Sequence, residues 1–210
     1  MMQHQNDSNT DLLATLWRSW AERGAQLRPD EWAGPTRLPG WSVHALFAHV
    51  APDPAMFGQL RGALTEGPAA ITGGAEILRV YNQPGGVAHV SAEAVEERAR
   101  QVAESVPPEV LLVRFAEEGP NALSALADIP ADAVIAHPML GSVTFGALGE
   151  VAVMEATVHL LDLIAAVGGP PPPTAALEAT RGLLVAVADP IAFIEAATGR
   201  TDAAVLPVLR

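Results

Sequence analysis

The sequence predicts an all-α fold: a helix bundle with a long crossover and a short helical C-terminal extension. Two observations carry that reading. Apolar residues recur at helical spacing over several long segments, whereas no stretch shows a convincing β pattern. One connection, residues 65–90, is rich in Gly-Pro, Gly-Gly and Pro-Gly-Gly and is too long for a simple hairpin between neighbouring helices, which fits a bundle with a crossover.

The first helix is expected from Thr10 to about Ala33, on the stripe Leu12, Leu13, Leu16, Trp17, Trp20 and Leu27, with Asn9 or Thr10 as its cap. TRLPGW follows as a turn, punctuated by Pro39-Gly40. Ser42 is placed to cap a second helix, VHALFAHV. Pro52 and Pro54 each remove a backbone donor and crowd the preceding turn, so this helix should break just after His49 and resume through MFGQLRGAL.

Ser91 opens AEAVEERARQVAES, where Glu96 and Arg100 are spaced for an i,i+4 attraction. Pro107-Pro108 separates it from EVLLVRFAEEGPNALSALADI, which reads as helical with a flaw at Gly119-Pro120. ADAVIAHPMLGSV is ambiguous and suits a short extended excursion. Thr144 then caps the most apolar helix of the chain, TFGALGEVAVMEATVHLLDLIAAVG, which should stop at Gly168-Gly169. Pro170 to Pro173 make a stiff polyproline spacer. TAALEATRGLLVAVA and PIAFIEAAT add two helical pieces, the second capped by Asp189 and Pro190.

Composition narrows the function classes. A net charge of −12 opposes binding to nucleic acid or anionic membrane. With no cysteine, the chain makes no disulfide, thiolate metal site or cysteine nucleophile, so any thiol chemistry brings its sulfur on a small molecule. MMQHQNDSNTD lacks the basic and apolar blocks of a signal peptide, and no run reaches membrane-spanning length; a cytoplasmic protein is expected.

Charge inside the apolar helix is the informative feature. Burying an unpaired carboxylate or imidazole is costly, yet Glu155, His159 and Asp162 sit mid-helix. Residues four apart project from one face, so Glu155 and His159 suit two ligands of a single divalent ion, and Asp162 continues the face. The same spacing also fits side chains that bond only each other or an arginine on a neighbouring helix. A metal would require a third ligand from elsewhere.

Two separated blocks agree in order with one family. Pro39-Gly40-Trp41-Ser42-Val43 with Ala48-His49-Val50, then Glu155 and His159 followed by Asp162-Leu163 and Ala166-Val167-Gly168, resemble the mycothiol-dependent maleylpyruvate isomerase branch of the DinB-like superfamily, over roughly residues 10–168. The resemblance implies a DinB-like four-helix bundle over residues 1–168; residues 169–210 read as a Pro-rich linker and short helical C-terminal extension packing on it. The resemblance also implies that His49, Glu155 and His159 bind one divalent metal, usually zinc, and that mycothiol or a related small thiol is co-substrate. Asp162 is outside that ligand set; it reads equally as an acceptor for an imidazole N–H and as a partner for an arginine.

The resemblance and the chemistry together give a metal-dependent thiol transferase or isomerase-like enzyme acting on an electrophilic small molecule. Ala152 stands where family members often carry Arg, and only about forty residues follow the bundle where the founding enzymes have a full second domain. Those departures keep open a non-catalytic bundle that binds metal or a small molecule and, more weakly, a metal-dependent hydrolase. Exposed bundle faces are compatible with a homodimer. His44, His89 and His137 are expected at the surface, and the four tryptophans in core or turn packing, with Trp41 anchoring the second helix. Gly73-Gly74 and Gly85-Gly86 lack phosphate-loop spacing, and no nucleophile elbow is present.

Overall fold

The computed structural model describes residues 2–201 and 204–209. The expected first helix is two: α1 (Met2–Gly24) and α2 (Pro29–Trp32). Pro29 drives the preceding Arg28 out of the helical region, to φ −74° and ψ 155°, and so ends any continuous helix. Because α1 begins at Met2, neither Asn9 nor Thr10 is its cap.

Helix α3 (Val43–Val50) starts where Ser42 Oγ accepts from Ala45 N–H at 3.1 Å. It ends before Pro52, with Ala51 at ψ 129°, which leaves His49 in its last turn. Asp53 caps α4 (Pro54–Gly62) by accepting from Ala55 N–H at 3.0 Å.

Residues 65–90 are not one irregular connection. Strand β1 (Leu64–Thr65) leads to α5 (Gly74–Asn82), which buries Ile77 and Leu78, and to α6 (Val87–Val90). In α7 (Ala92–Ser105), Arg100 pairs with Glu97 at 2.7 Å and with Glu104, one turn to either side, instead of Glu96. Ser91 makes no side-chain cap there.

After α8 (Pro108–Val113) the expected flaw takes the form of a π-helical turn, Arg114–Glu118, before α9 (Gly119–Ser124). Pro120 has no N–H and its ring crowds the carbonyl four residues back, which a wider turn relieves. The ambiguous segment is a hairpin of β2 (Val134–His137) and β3 (Gly141–Thr144). With β1 it forms a three-stranded antiparallel sheet in the order β1–β2–β3, with Ile135 opposite both Leu64 and Val143.

Thr144 closes β3 and caps α10 (Phe145–Val167), accepting from Ala147 N–H at 3.3 Å. The helix stops at Gly168, whose φ of +70° suits glycine. Beyond the prolines, α11 (Thr174–Val187) packs on α10 and α5. Asp189 then caps α12 (Pro190–Ala197), accepting from Ala192 N–H at 2.8 Å.

The fold is all-α and DinB-like. Helices α1, α3 and α10, with the α8–π–α9 segment, wall a bundle that closes on Trp20. This side chain is fully buried: its ring meets Phe47 of α3 edge-on at 4.9 Å and stacks on Phe115 of the π-turn at 5.4 Å. Each such ring contributes on the order of 2–3 kcal/mol by leaving water. Its indole N–H, costly if left unpaired, donates to Ala156 O at 3.1 Å. That bond fixes α1 against α10 next to Glu155. Among the described residues, no helix is long and apolar enough to cross a membrane.

Candidate metal centre

The turn before α3 is tightly made. Pro35 bridges to Ser42, Thr36 N–H donates to Trp41 O at 2.9 Å, and Trp41 N–H donates to Leu38 O at 3.1 Å. Gly40 supplies the φ of +81° that closes it. This turn carries Arg37 and Trp41 to the middle of α10.

On α10, Met154, Ala156, Leu160 and Leu163 face the core, and Glu155 and His159 share a flank one turn apart. The last turn of α3 brings His49 to that flank. One ligand atom from each of His49, Glu155 and His159 lies within 4.8 Å of the other two. His159 Nε2 is 3.4 Å from Glu155 Oε2, and the two imidazoles meet edge to face at 5.0 Å. Trp41 stands edge-on to His49 at 5.2 Å and nearly parallel to the His159 ring at 6.4 Å, forming one wall. Two clefts of about 400 and 340 Å³, one between α1 and α8 and the other bordered by α5, α10 and α11, do not include these residues. The cluster instead opens at the surface through Glu155, whose side chain is 49% exposed.

Asp162 lies behind the cluster, its side chain only 4% exposed. His159 Nδ1–H donates to Asp162 Oδ2 at 2.8 Å, and Arg37 Nε–H donates to Asp162 Oδ1 at 2.6 Å. Both readings of Asp162 are therefore realised in one carboxylate. Arg37 lies in the turn TRLPGW, and nothing in its spacing announces a partner so distant along the chain. Trp41, expected to anchor the second helix, closes the turn before it through its backbone and also lines the cluster.

The electrostatics follow from these contacts. Burial alone would lower the pKa of His159, but its bonds to Asp162 and Glu155 outweigh that and hold it up to about 9. His49 is held below its ordinary value by burial and then by the nearby His159 cation, against the pull of Glu155. The protein packed around the half-exposed Glu155 works to raise it, yet the bond to His159 and that ring's charge bring it below the usual carboxylate range. Asp162 behaves likewise: burial opposes, while His159 and Arg37 hold the anion. The cluster thus offers a neutral imidazole at His49 and a carboxylate at Glu155, with a proton on His159 where a cation would compete.

Two imidazoles and one carboxylate are a donor set that fits zinc, which bonds such atoms at roughly 2.0–2.2 Å. Three protein ligands leave a fourth position for a small molecule. The carboxylate behind His159 fixes its Nδ1–H and leaves Nε2 toward the cluster, as ligating histidines require.

His44 and His137 serve structure. His44 is not solvated as expected: it is half-buried, donates to Val106 O at 3.0 Å, and meets Trp32 edge-on at 5.7 Å. Five residues before His49, it points across to the α7–α8 junction, and burial lowers its pKa. His137 Nδ1 accepts from Met139 and Leu140 N–H, both at 3.3 Å, which shapes the β2–β3 turn. His89 is exposed, as expected. Ala152 precedes Glu155 by one turn and packs against the core.

No curated protein and no solved structure gives a significant match to the chain. The family model described as mycothiol maleylpyruvate isomerase N-terminal domain matches residues 13–164, a span that takes in the turn, His49 and the charged face of α10. The chain belongs to that family.

Proposed function

We propose that this protein is a zinc-dependent thiol transferase or isomerase-like enzyme, in which mycothiol or a related small thiol is activated for addition to an electrophilic small molecule. The observation that carries the reading is the meeting of His49, Glu155 and His159, brought together from α3 and α10. A divalent ion bound there supplies positive charge that lowers a thiol pKa and raises the fraction of the nucleophilic thiolate at neutral pH. The absence of cysteine from the chain assigns that sulfur to a co-substrate.

The chain's own groups divide the work. His49 presents a neutral ring, and Glu155 an anionic oxygen at the opening. Asp162 holds the proton on His159 Nδ1 and so orients Nε2 inward. Trp41 shields one side from water with an apolar face. The reading places the protein in the cytoplasm, where small thiols are kept reduced, and its charge of −12 disfavours polyanionic partners.

Ala152 at the position where the family often carries Arg favours a second reading, a bundle that binds a small molecule without converting it. One experiment separates the two. Purified protein is assayed for zinc content and for thiol-dependent turnover of a maleyl-type or epoxide electrophile. Turnover that needs both zinc and thiol, and is lost with zinc in His159→Ala, supports the enzyme; zinc-loaded protein that binds the electrophile unchanged supports the second reading.

A further inference from the structure

We infer that Arg37 is a positioning residue for the metal centre, acting through Asp162 on the imidazole of His159. The inference rests on the metal-site reading above. Asp162 uses its two oxygens on opposite partners, Oδ1 for Arg37 at 2.6 Å and Oδ2 for His159 at 2.8 Å. A carboxylate held by one oxygen alone rotates about its last torsion and offers either oxygen to the ring, because that torsion is broad and two-fold. Held at both, its plane is fixed, and with it the plane of the imidazole that aims Nε2 toward Glu155 Oε2, 3.4 Å away.

Arg37 is suited to this role and to little else. Its side chain is 55% exposed, so it fills no part of the core, whereas Asp162 is almost wholly enclosed and needs a cationic partner. The hydrogen-bonded turn around Thr36 and Gly40 fixes where the guanidinium begins. Trp41, from the same turn, flanks both imidazoles. One short loop therefore sets the back and one side of the cluster, and Arg37 is its electrostatic contact with α10.

The test measures Zn²⁺ affinity by competition with a chromophoric chelator for wild type, Arg37→Ala, Arg37→Lys, Asp162→Ala and the Arg37→Ala/Asp162→Ala double variant. Losing an outer partner of a ligating histidine typically costs roughly 10–100-fold in metal affinity. Arg37→Ala is expected to weaken zinc at the lower end of that range, and Arg37→Lys to recover part of the loss. The double variant is expected to match Asp162→Ala alone. The His159 Nδ1–H proton resonance should broaden in Arg37→Ala while far-UV circular dichroism stays unchanged. Zinc bound by Arg37→Ala as tightly as by wild type, or fully additive losses in the double variant, would overturn the inference and leave the metal reading standing. A wild type with no zinc affinity would overturn both.

Discussion

His49 and His159 meet with ring planes 86° apart, although one closes α3 and the other lies midway along α10. Their approach is built into the bundle, through Phe47 of α3 and Ala156 of α10 meeting on Trp20. Each ring should therefore be indispensable to zinc. His49→Ala and His159→Ala are each expected to reduce zinc affinity by more than the roughly 10–100-fold typical of an outer partner. Elemental analysis after gel filtration checks this; stoichiometric zinc in either variant would remove that residue from the ligand set.

The proton on His159 makes a pH prediction for the metal-free protein. Its folded pKa, about 9, lies above the ordinary 6.5. Stability from that charge is fully present below about 6.5 and is lost as pH rises through about 9. The melting temperature of metal-free protein should fall across that window, reflecting a contribution of up to a few kcal/mol, and Asp162→Asn should flatten the fall. Glu155 and Asp162 act in the opposite direction: carboxylates held below their ordinary values contribute fully above those values and lose the contribution as pH falls on through the lowered ones. An unchanged melting temperature from pH 6.5 to 9.5 would contradict the assignment of charge to His159.

Trp20 provides a test of the bundle itself. Trp20→Phe removes the bond to Ala156 O and part of the buried ring, which should cost about 1–3 kcal/mol. Trp20→Ala should cost about 3–5 kcal/mol. Urea denaturation reads both, and a loss below about 0.5 kcal/mol for the alanine variant would place Trp20 outside the core.

Gly40 tests the loop. At φ +81° an alanine is strained by about 1–2 kcal/mol. Gly40→Ala should therefore lower stability by that order and also weaken zinc, because the same turn aims Arg37 and Trp41. Stability lowered with zinc affinity untouched would separate the loop from the site.

What the sequence revealed depended on how local the cause was. Ser42, Thr144 and Asp189 each cap a helix from within three residues, and Pro52 ends α3 through its neighbours, so these boundaries were legible. Helix α5 was less legible: Ile77, Leu78, Val80 and Tyr81 fall at helical spacing, but only nine residues lie between glycine-rich turns, too short a run to set it apart from a loop. Strands β2 and β3 have four residues each and take their identity from pairing, which only the fold supplies. The choice by Arg100 of Glu97 and Glu104 over Glu96 depends on rotamers that spacing does not fix. At the cluster, one helix face displayed Glu155 and His159, and the family resemblance supplied His49. The link from Arg37 to Asp162 joins segments far apart in the chain and has no signature at either end.

The asymmetry of the cluster bears on how readily a cation would be exchanged. Glu155 meets solvent while His159 and Asp162 lie beneath it. An ion held by this trio would be approached and released from the carboxylate side, and a small chelator could attack it there without any opening of the helices. Extraction should then quicken with chelator concentration instead of levelling off at a rate set by the protein's own breathing.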